Sequence, residues 1–363
     1  MPTALVSAAA QHLARRGVSG MQQNGPGDER PNVPIVAGAT LIIFAIVVAI
    51  VQYTFGMVVP TLAMVEDPHP TVYASIPSDD NGQPKNVAET TECAGRQGVI
   101  TAKIRTTLRH LRARGGFWAP FRGIGVCAVY IFCRSILISI FSFGASHSRI
   151  FTHSLAAIAA EVALTGLALT WIHTVISEPS ANTRPLLRRI PAYRTWKKAV
   201  LAVALRSTAS QICFLLPLYL GIAIYGIRLD NDSLVTMPQL DKPTTATVIG
   251  SVAILLLSLA LFALVEIPAI VTMVRVCAST LPLDVDTIVP FDRTFGGKIE
   301  PAVLGGGTLG LLDAWKSFTW PARIRLLKLL VKCFAIMVTV CVVFGVTFAV
   351  EMLTLGRGNL DKL

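Results

Sequence analysis

Residues 178–198 read EPSANTRPLLRRIPAYRTWKK, and this stretch decides the fold. It carries Arg184, Arg188, Arg189, Arg194, Lys197 and Lys198 against a single acid, Glu178. Long apolar runs lie on either side. Cytoplasmic loops between hydrophobic spans carry an excess of Lys and Arg, so this short basic loop reads as cytoplasmic. That assignment gives a direction to every other span.

Composition points to the same class. The chain has 363 residues, is 53% hydrophobic and only 15% charged, with a mean hydropathy of +0.61. Soluble domains run near about 25% charged. The charges cluster between long uncharged stretches, as in a polytopic membrane protein. Net charge is +11. Because Lys and Arg sit beside apolar runs, the excess reads as topology and contact with anionic lipid headgroups, not as nucleic-acid binding. The seven cysteines form no CxxC pair and most fall within spans, so they read as small buried hydrophobes.

The expected fold class is all-α: a polytopic membrane protein with about six transmembrane helices plus amphipathic cytoplasmic helices. Residues 1–33 are a disordered, non-cytoplasmic tail. Their first 27 residues lack acids, which weakly resembles a mitochondrial transit peptide. Span 1 covers 34–58, inside a charge-free run from Pro31 to Val65. Loop 59–123 is cytoplasmic, with a basic amphipathic helix at 99–114 that suits an anionic leaflet or a solvated face. Span 2 covers 124–146 and span 3 covers 150–177. Beyond the basic loop, span 4 covers 199–227, an outside loop covers 228–245, and span 5 covers 246–274, kinked at Pro268. Loop 275–332 is cytoplasmic with an amphipathic helix at 309–330. Span 6 covers 333–355, and 356–363 form a short tail.

Charge counting tests the orientation. The three loops on the side of residues 178–198 hold 8, 6 and 8 Lys/Arg, whereas the tails and the two other loops hold 8 together. The only Asn-x-Ser/Thr sequon, at Asn231, falls in a loop placed outside, so glycosylation there is possible in principle. Aromatic–basic clusters precede each even-numbered span, with Trp118, Trp196 and Trp320 as interfacial anchors. They reflect shared interfacial grammar or three two-span units. The Pro-x-Asp/Glu-x-x-Lys/Arg signature of mitochondrial carriers is missing; Pro282-Leu-Asp284 begins it, but no basic residue follows at the needed spacing.

Ionisable residues inside spans are the default site in a membrane protein. Arg134 enters span 2 at a cost of about 2.5–3.5 kcal/mol, which eleven Ile, Leu, Val and Phe residues at about 0.3–0.6 kcal/mol each offset. At about 1.5 Å per residue, Arg206 and Glu266 lie about 11 and 12 Å in from the cytoplasmic face, and Arg134 and Glu161 about 15 and 20 Å in. Snorkelling covers the differences. The expected pairs are Arg134–Glu161 and Arg206–Glu266, with the crossed pairing left open. Glu351, near the outer end, is expected to reach water.

These pairs either lock helix register or line a polar path between spans 2 and 5, joined by Gln211 and His173. No catalytic residue, metal ligand set or cofactor motif stands out. Gly305–Gly310 lacks the Gly-Lys-Ser/Thr ending of a phosphate loop. Two functions follow: transport or binding of a small molecule or ion through the polar path, or a non-catalytic membrane organiser acting through the basic amphipathic segments. The implied partners are the bilayer and its anionic headgroups. The implied location is an endomembrane or the plasma membrane, with the mitochondrial inner membrane as the alternative.

Three stretches, RIPAYRTWKK (189–198), TIVPFDRTFGGK (287–298) and LLDAWKSFTWPARIRLLKLLVK (311–332), together resemble a family of fungal multi-pass membrane proteins. Its members are sometimes labelled "ubiquitin carrier" or "ubiquitin conjugating". The resemblance implies a fungal context and brings no site residues. A ubiquitin-conjugating enzyme is a soluble α/β domain with a His-Pro-Asn element, and the chain has no His-Pro-Asn.

Overall fold

The computed structural model describes residues 33–66, 99–143, 149–179, 193–225, 245–282, 285–299 and 307–360. Expectations for the tail 1–32, loop 67–98, Asn231 and the basic residues Arg184, Arg188 and Arg189 fall outside the described residues. The described chain is mainly helical, without a strand. Its one ladder contact is a lone bridge between Ser177 and Thr287. Five helices are long and apolar enough to cross a membrane, or six when one bent pair counts as a single span. The chain is of the all-α, multi-pass membrane class.

The elements run α1 (Val33–Val51), a π-turn (Gln52–Val58), α2 (Val59–Val65), α3 (Ile104–Gly115), α4 (Ile124–Phe141), α5 (Arg149–Ala163) and α6 (Thr165–Ile176). Then come α7 (Tyr193–Tyr225), α8 (Thr245–Leu261), a second π-turn (Phe262–Glu266), α9 (Ile267–Ser279), α10 (Leu311–Lys316) and α11 (Trp320–Leu360).

Two compact units emerge. The first comprises Met1–Met57 and Lys328–Leu363, the second Val58–Leu327. In the first, α1 pairs with the C-terminal part of α11. Phe44 stacks on Phe344 with ring centroids 3.7 Å apart, and Thr40 Oγ1 donates to Glu351 Oε1 at 3.1 Å. Glu351 is therefore half-buried and hydrogen-bonded, where the sequence suggested water. In a bilayer a carboxylate at that depth is stabilised by a hydroxyl from a neighbouring helix.

Four boundaries in the second unit differ from expectation, each for a local reason. First, α2 continues the first span to Val65, so residues 59–65 are helix and not loop; every one of them is buried. The charge-free run ends there, and the helix ends with it. Second, the third span is bent by 60° between α5 and α6. No proline lies at the break. Instead Thr165 Oγ1 donates to Val162 O at 2.7 Å, a back-bond that competes with the helix ladder and bends it. Third, the fifth span runs unbroken from Thr245 to Ser279. The fourth concerns the amphipathic segment 309–330. Turn residues 317–319 split it, and its second half fuses with the last span into the 41-residue α11.

Both π-turns end two residues before a proline, Val58 before Pro60 and Glu266 before Pro268. Proline has no N–H, and its ring crowds the carbonyl four residues earlier. A wider turn relieves that crowding. Ile267 N accordingly donates five residues back, to Phe262 O. The kink expected at Pro268 is absorbed in this way.

The ends of these helices that face residues 99–122 and 285–318 form a packed, hydrogen-bonded base. Glu66, 2% exposed, accepts from Ile100 N at 2.6 Å, from Thr101 N at 3.0 Å and from Thr101 Oγ1. The carboxylate thus satisfies backbone donors before α3 begins. Arg275 lies buried between the rings of Phe295 and Phe318, its guanidinium carbon 4.7 and 5.5 Å from their centroids. It donates to Met64 O at 3.1 Å and Ser317 Oγ at 3.0 Å. Ile288 N donates to Ile176 O at 2.9 Å, and Glu178 N to Asp286 O at 2.8 Å, tying segment 285–299 to the end of α6. Asp292 Oδ2 accepts from Gly296 N, closing a turn in which Phe295, Gly296 and Gly297 all have positive φ. Glycine supplies two of those positions without strain.

Helix α3 does not lie free. Its apolar stripe docks on this base: Leu111 is 1% exposed, and His110 Nε2 donates to Ile288 O at 2.8 Å. Its exposed face carries Arg105, Arg109, Arg112 and Arg114.

Candidate functional site: a buried charge cluster

The cluster is built from four spans, one residue from each. Helix α4 brings Arg134, α5 brings Glu161, α7 brings Arg206 and the second π-turn brings Glu266. Small residues allow the approach. Ala156, Ala157 and Ala160 are buried on α5 and pack with Ile138 of α4. On α7, Ala202, Ala209 and Ser207 are buried around Arg206. Farther along, Gly250 of α8 sits so close to Ile224 of α7 that an added Cβ would stand 2.7 Å from Ile224 Cγ2. Close backbones are typical of helix packing in lipid, where small residues line interfaces.

Glu161 is the hub. Its Oε1 lies 3.0 Å from Arg134 Nε and its Oε2 3.1 Å from Arg206 Nη1. Arg206 also reaches Glu266, but with Nη2 3.7 Å from Oε1. Two pairs were expected; the structure joins all four residues into one chain, Arg134–Glu161–Arg206–Glu266. Residue types at matched depth were legible in sequence, whereas the hub was not, because it depends on the facing of α5 between α4 and α7.

The cluster is formally neutral, which lowers the cost of holding charge out of water. It is not fully satisfied. Arg206 Nε and Glu266 Oε2 are buried and have no hydrogen-bond partner among the described residues. Glu266 is only 8% exposed. An ionised oxygen left unpaired in a buried site is costly, and such atoms in native proteins call for an explanation.

Two further residues flank the cluster. Tyr130, about one turn before Arg134 on α4, is within electrostatic reach of Glu161, Arg206 and Arg134. Cys213 donates its thiol to Leu261 O at 3.5 Å, next to the start of the second π-turn. Sequence reasoning passed over both, since neither is charged. Their spacing from Arg134 and Arg206 on the same helices was the available signal.

Of the two residues expected to extend the path, Gln211 is half-buried on α7, five residues beyond Arg206. His173 belongs elsewhere. It lies on α6 beyond the bend, and its Nε2 donates to Cys277 O at 3.0 Å, tying α6 to the end of α9. The anchors Trp118 and Trp320 are exposed, and Trp196 stacks on Tyr193 at 5.4 Å. Among the described residues no group of three His, Cys, Asp or Glu side chains comes together to hold a metal ion. The six described cysteines are free.

Searches against family models, curated proteins and solved structures find no match to this chain.

Proposed function

We propose that this protein binds a small polar solute or ion between its spans and passes it across the membrane, with Glu161, Arg206 and Glu266 as the site. One observation carries the reading: both carboxylates stand where their helices depart from regular α geometry. Glu161 lies within one turn of the 60° bend, and Glu266 closes the π-turn. Transporters place solute sites at interrupted helices near mid-membrane, and π-turns inside helices concentrate at functional sites. Charges retained for register alone have no need of irregular helices. The basic loops face the cytoplasm in this reading, in an endomembrane or the plasma membrane. Native mass spectrometry of gently purified protein tests it. A stoichiometric small molecule that leaves on Arg206→Lys supports the reading; identical bare spectra for both proteins, with no uptake in proteoliposomes, refute it.

A second reading, a membrane organiser, is favoured by α3. Leu111 of its apolar stripe is docked on the protein's own base and Arg114 pairs with Glu178 at 2.9 Å, which leaves Arg105, Arg109 and Arg112 for anionic headgroups. Neutralising Arg105, Arg109 and Arg112 abolishes localisation if that face is the working part.

A further inference from the structure

The bonding of Arg206 is lopsided. Guanidinium presents two edges to a planar oxyanion, and carboxylates dock on either as a parallel pair of hydrogen bonds. Here Nη1 is committed to Glu161 at 3.1 Å. The Nε/Nη2 edge is uncommitted: Nε has no partner among the described residues, and Nη2 has only the 3.7 Å ion pair with Glu266. The second oxygen of Glu266 is likewise without a partner. A two-donor fork with a buried Nε and a buried acceptor therefore adjoin.

Charge bookkeeping limits what fits. Arg134, Glu161, Arg206 and Glu266 sum to zero, so an added anion alone would leave a buried net charge. An anion entering with one proton keeps the site neutral. Glu266 is the member able to take that proton. Glu161 uses both oxygens on arginines, whereas among the described residues Glu266 has only the 3.7 Å ion pair through its carboxylate. The groups facing Glu266 are Arg206 and Cys213 from α7, Glu161 from α5, and Arg134 and Tyr130 of α4 behind them. Once protonated, Glu266 no longer competes for Arg206 and becomes a donor.

We propose that the Nε/Nη2 edge of Arg206 is a binding site for a monocarboxylate, taken up together with one proton that resides on Glu266. The net entering species is a neutral carboxylic acid, split between the two side chains: its carboxylate on Arg206, its proton on a Glu266 oxygen that then donates to the bound carboxylate. The proposal rests on the solute-binding reading above and names its substrate class. A carboxylate reaching the site from water and a fatty acid reaching it from the lipid share this chemistry.

The test is calorimetric titration of the full-length protein in nanodiscs at pH 7. The probes are butyrate, laurate and butylammonium, each in phosphate and in Tris, whose protonation enthalpies differ. The proposal expects a carboxylate to bind with about one proton taken up. It expects Glu266→Gln, nearly isosteric and neutral, to bind the same carboxylate with no proton taken up. Arg206→Lys, which keeps the charge and loses the fork, weakens binding at least tenfold. Butyrate binding points to an aqueous substrate and laurate binding alone to a lipid-side one. Carboxylate binding without proton uptake, or uptake that persists in Glu266→Gln, overturns the proposal. Binding of butylammonium instead, lost in the cluster variants, overturns it while the solute-binding reading stands. No binding of any probe, with variants that alter only thermal stability, ends both.

Discussion

Arg206 donates to Glu161 at 3.1 Å but stands 3.7 Å from Glu266, beyond hydrogen-bond reach. One arginine thus holds a tight and a loose carboxylate at once. The tight contact ties α5 to α7, and with Arg134 it ties α4 in as well. The loose contact is the one that can open without dismantling the bundle.

That asymmetry predicts unequal costs. Glu161→Gln strands two arginines and destabilises by about 3–5 kcal/mol, the usual result of breaking a buried pair. Glu266→Gln removes no hydrogen bond and costs about 1 kcal/mol or less. Thermal unfolding of both variants in one detergent compares them. Equal losses, or a larger loss for Glu266→Gln, would contradict the assignment of Glu161 as hub.

A coupling measurement separates direct from indirect contacts of Arg134. Arg134→Ala with Glu161→Ala should show a coupling energy of about 1–3 kcal/mol, as for residues in one ion-pair network. The combination of Arg134→Ala with Glu266→Ala, which are linked only through Glu161 and Arg206, should show a clearly smaller coupling. Strong coupling in the second cycle would mean that Arg134 reaches Glu266 directly.

Helix α3 offers a contrast between its faces. Leu111→Ala empties a docked position and should cost about 2–5 kcal/mol. Replacing Arg105, Arg109 and Arg112 with Gln touches only the exposed face and should leave stability within about 0.5 kcal/mol. The same triple variant should bind vesicles containing anionic lipid less well, with a weaker dependence on salt. A harmless Leu111→Ala would return α3 to the status of a free interfacial helix.

Glu66 predicts an effect at a distance along the chain. Its carboxylate accepts three hydrogen bonds from Ile100 and Thr101. Bonds to a charged group contribute about 1.5–3 kcal/mol each, so Glu66→Ala should loosen the start of α3. Hydrogen exchange over residues 100–111 reads this. Protection equal to that of the parent protein would mean that the base holds α3 without Glu66.

Much of this was visible in the residues. Charge-free runs longer than a bilayer is thick leave little choice but a spanning helix, and Arg134, Glu161, Arg206 and Glu266 stood out as charges at matched depth. What escaped notice depends on where a helix face points. Arg275 counted as one more loop cation, yet α9 continues past the apolar run and buries it between Phe295 and Phe318. Glu66 looked like the first acid of a polar loop, and it is a cap. The bend at Leu164 carries no Pro; the Thr165 hydroxyl back-bonds there, with Gly166 next in the chain. Pro268 announced an irregularity without saying that a π-turn would absorb it.

The second π-turn has a consequence for how this helix can change over generations. Relative to an α-helix it holds one surplus residue, and each residue turns a helix by about 100°. On one side of it, Val248, Val252 and Leu259 are exposed; on the other, Val271, Arg275 and Cys277 are buried. The surplus residue works as a clutch between the two halves. A single-codon deletion between Phe262 and Glu266 would shorten the chain by a trivial amount and still swing Arg275 out of its aromatic slot or Glu266 away from Arg206. Exposed positions such as Val248, Val252 and Leu259 are free to drift, while the length of the span is frozen.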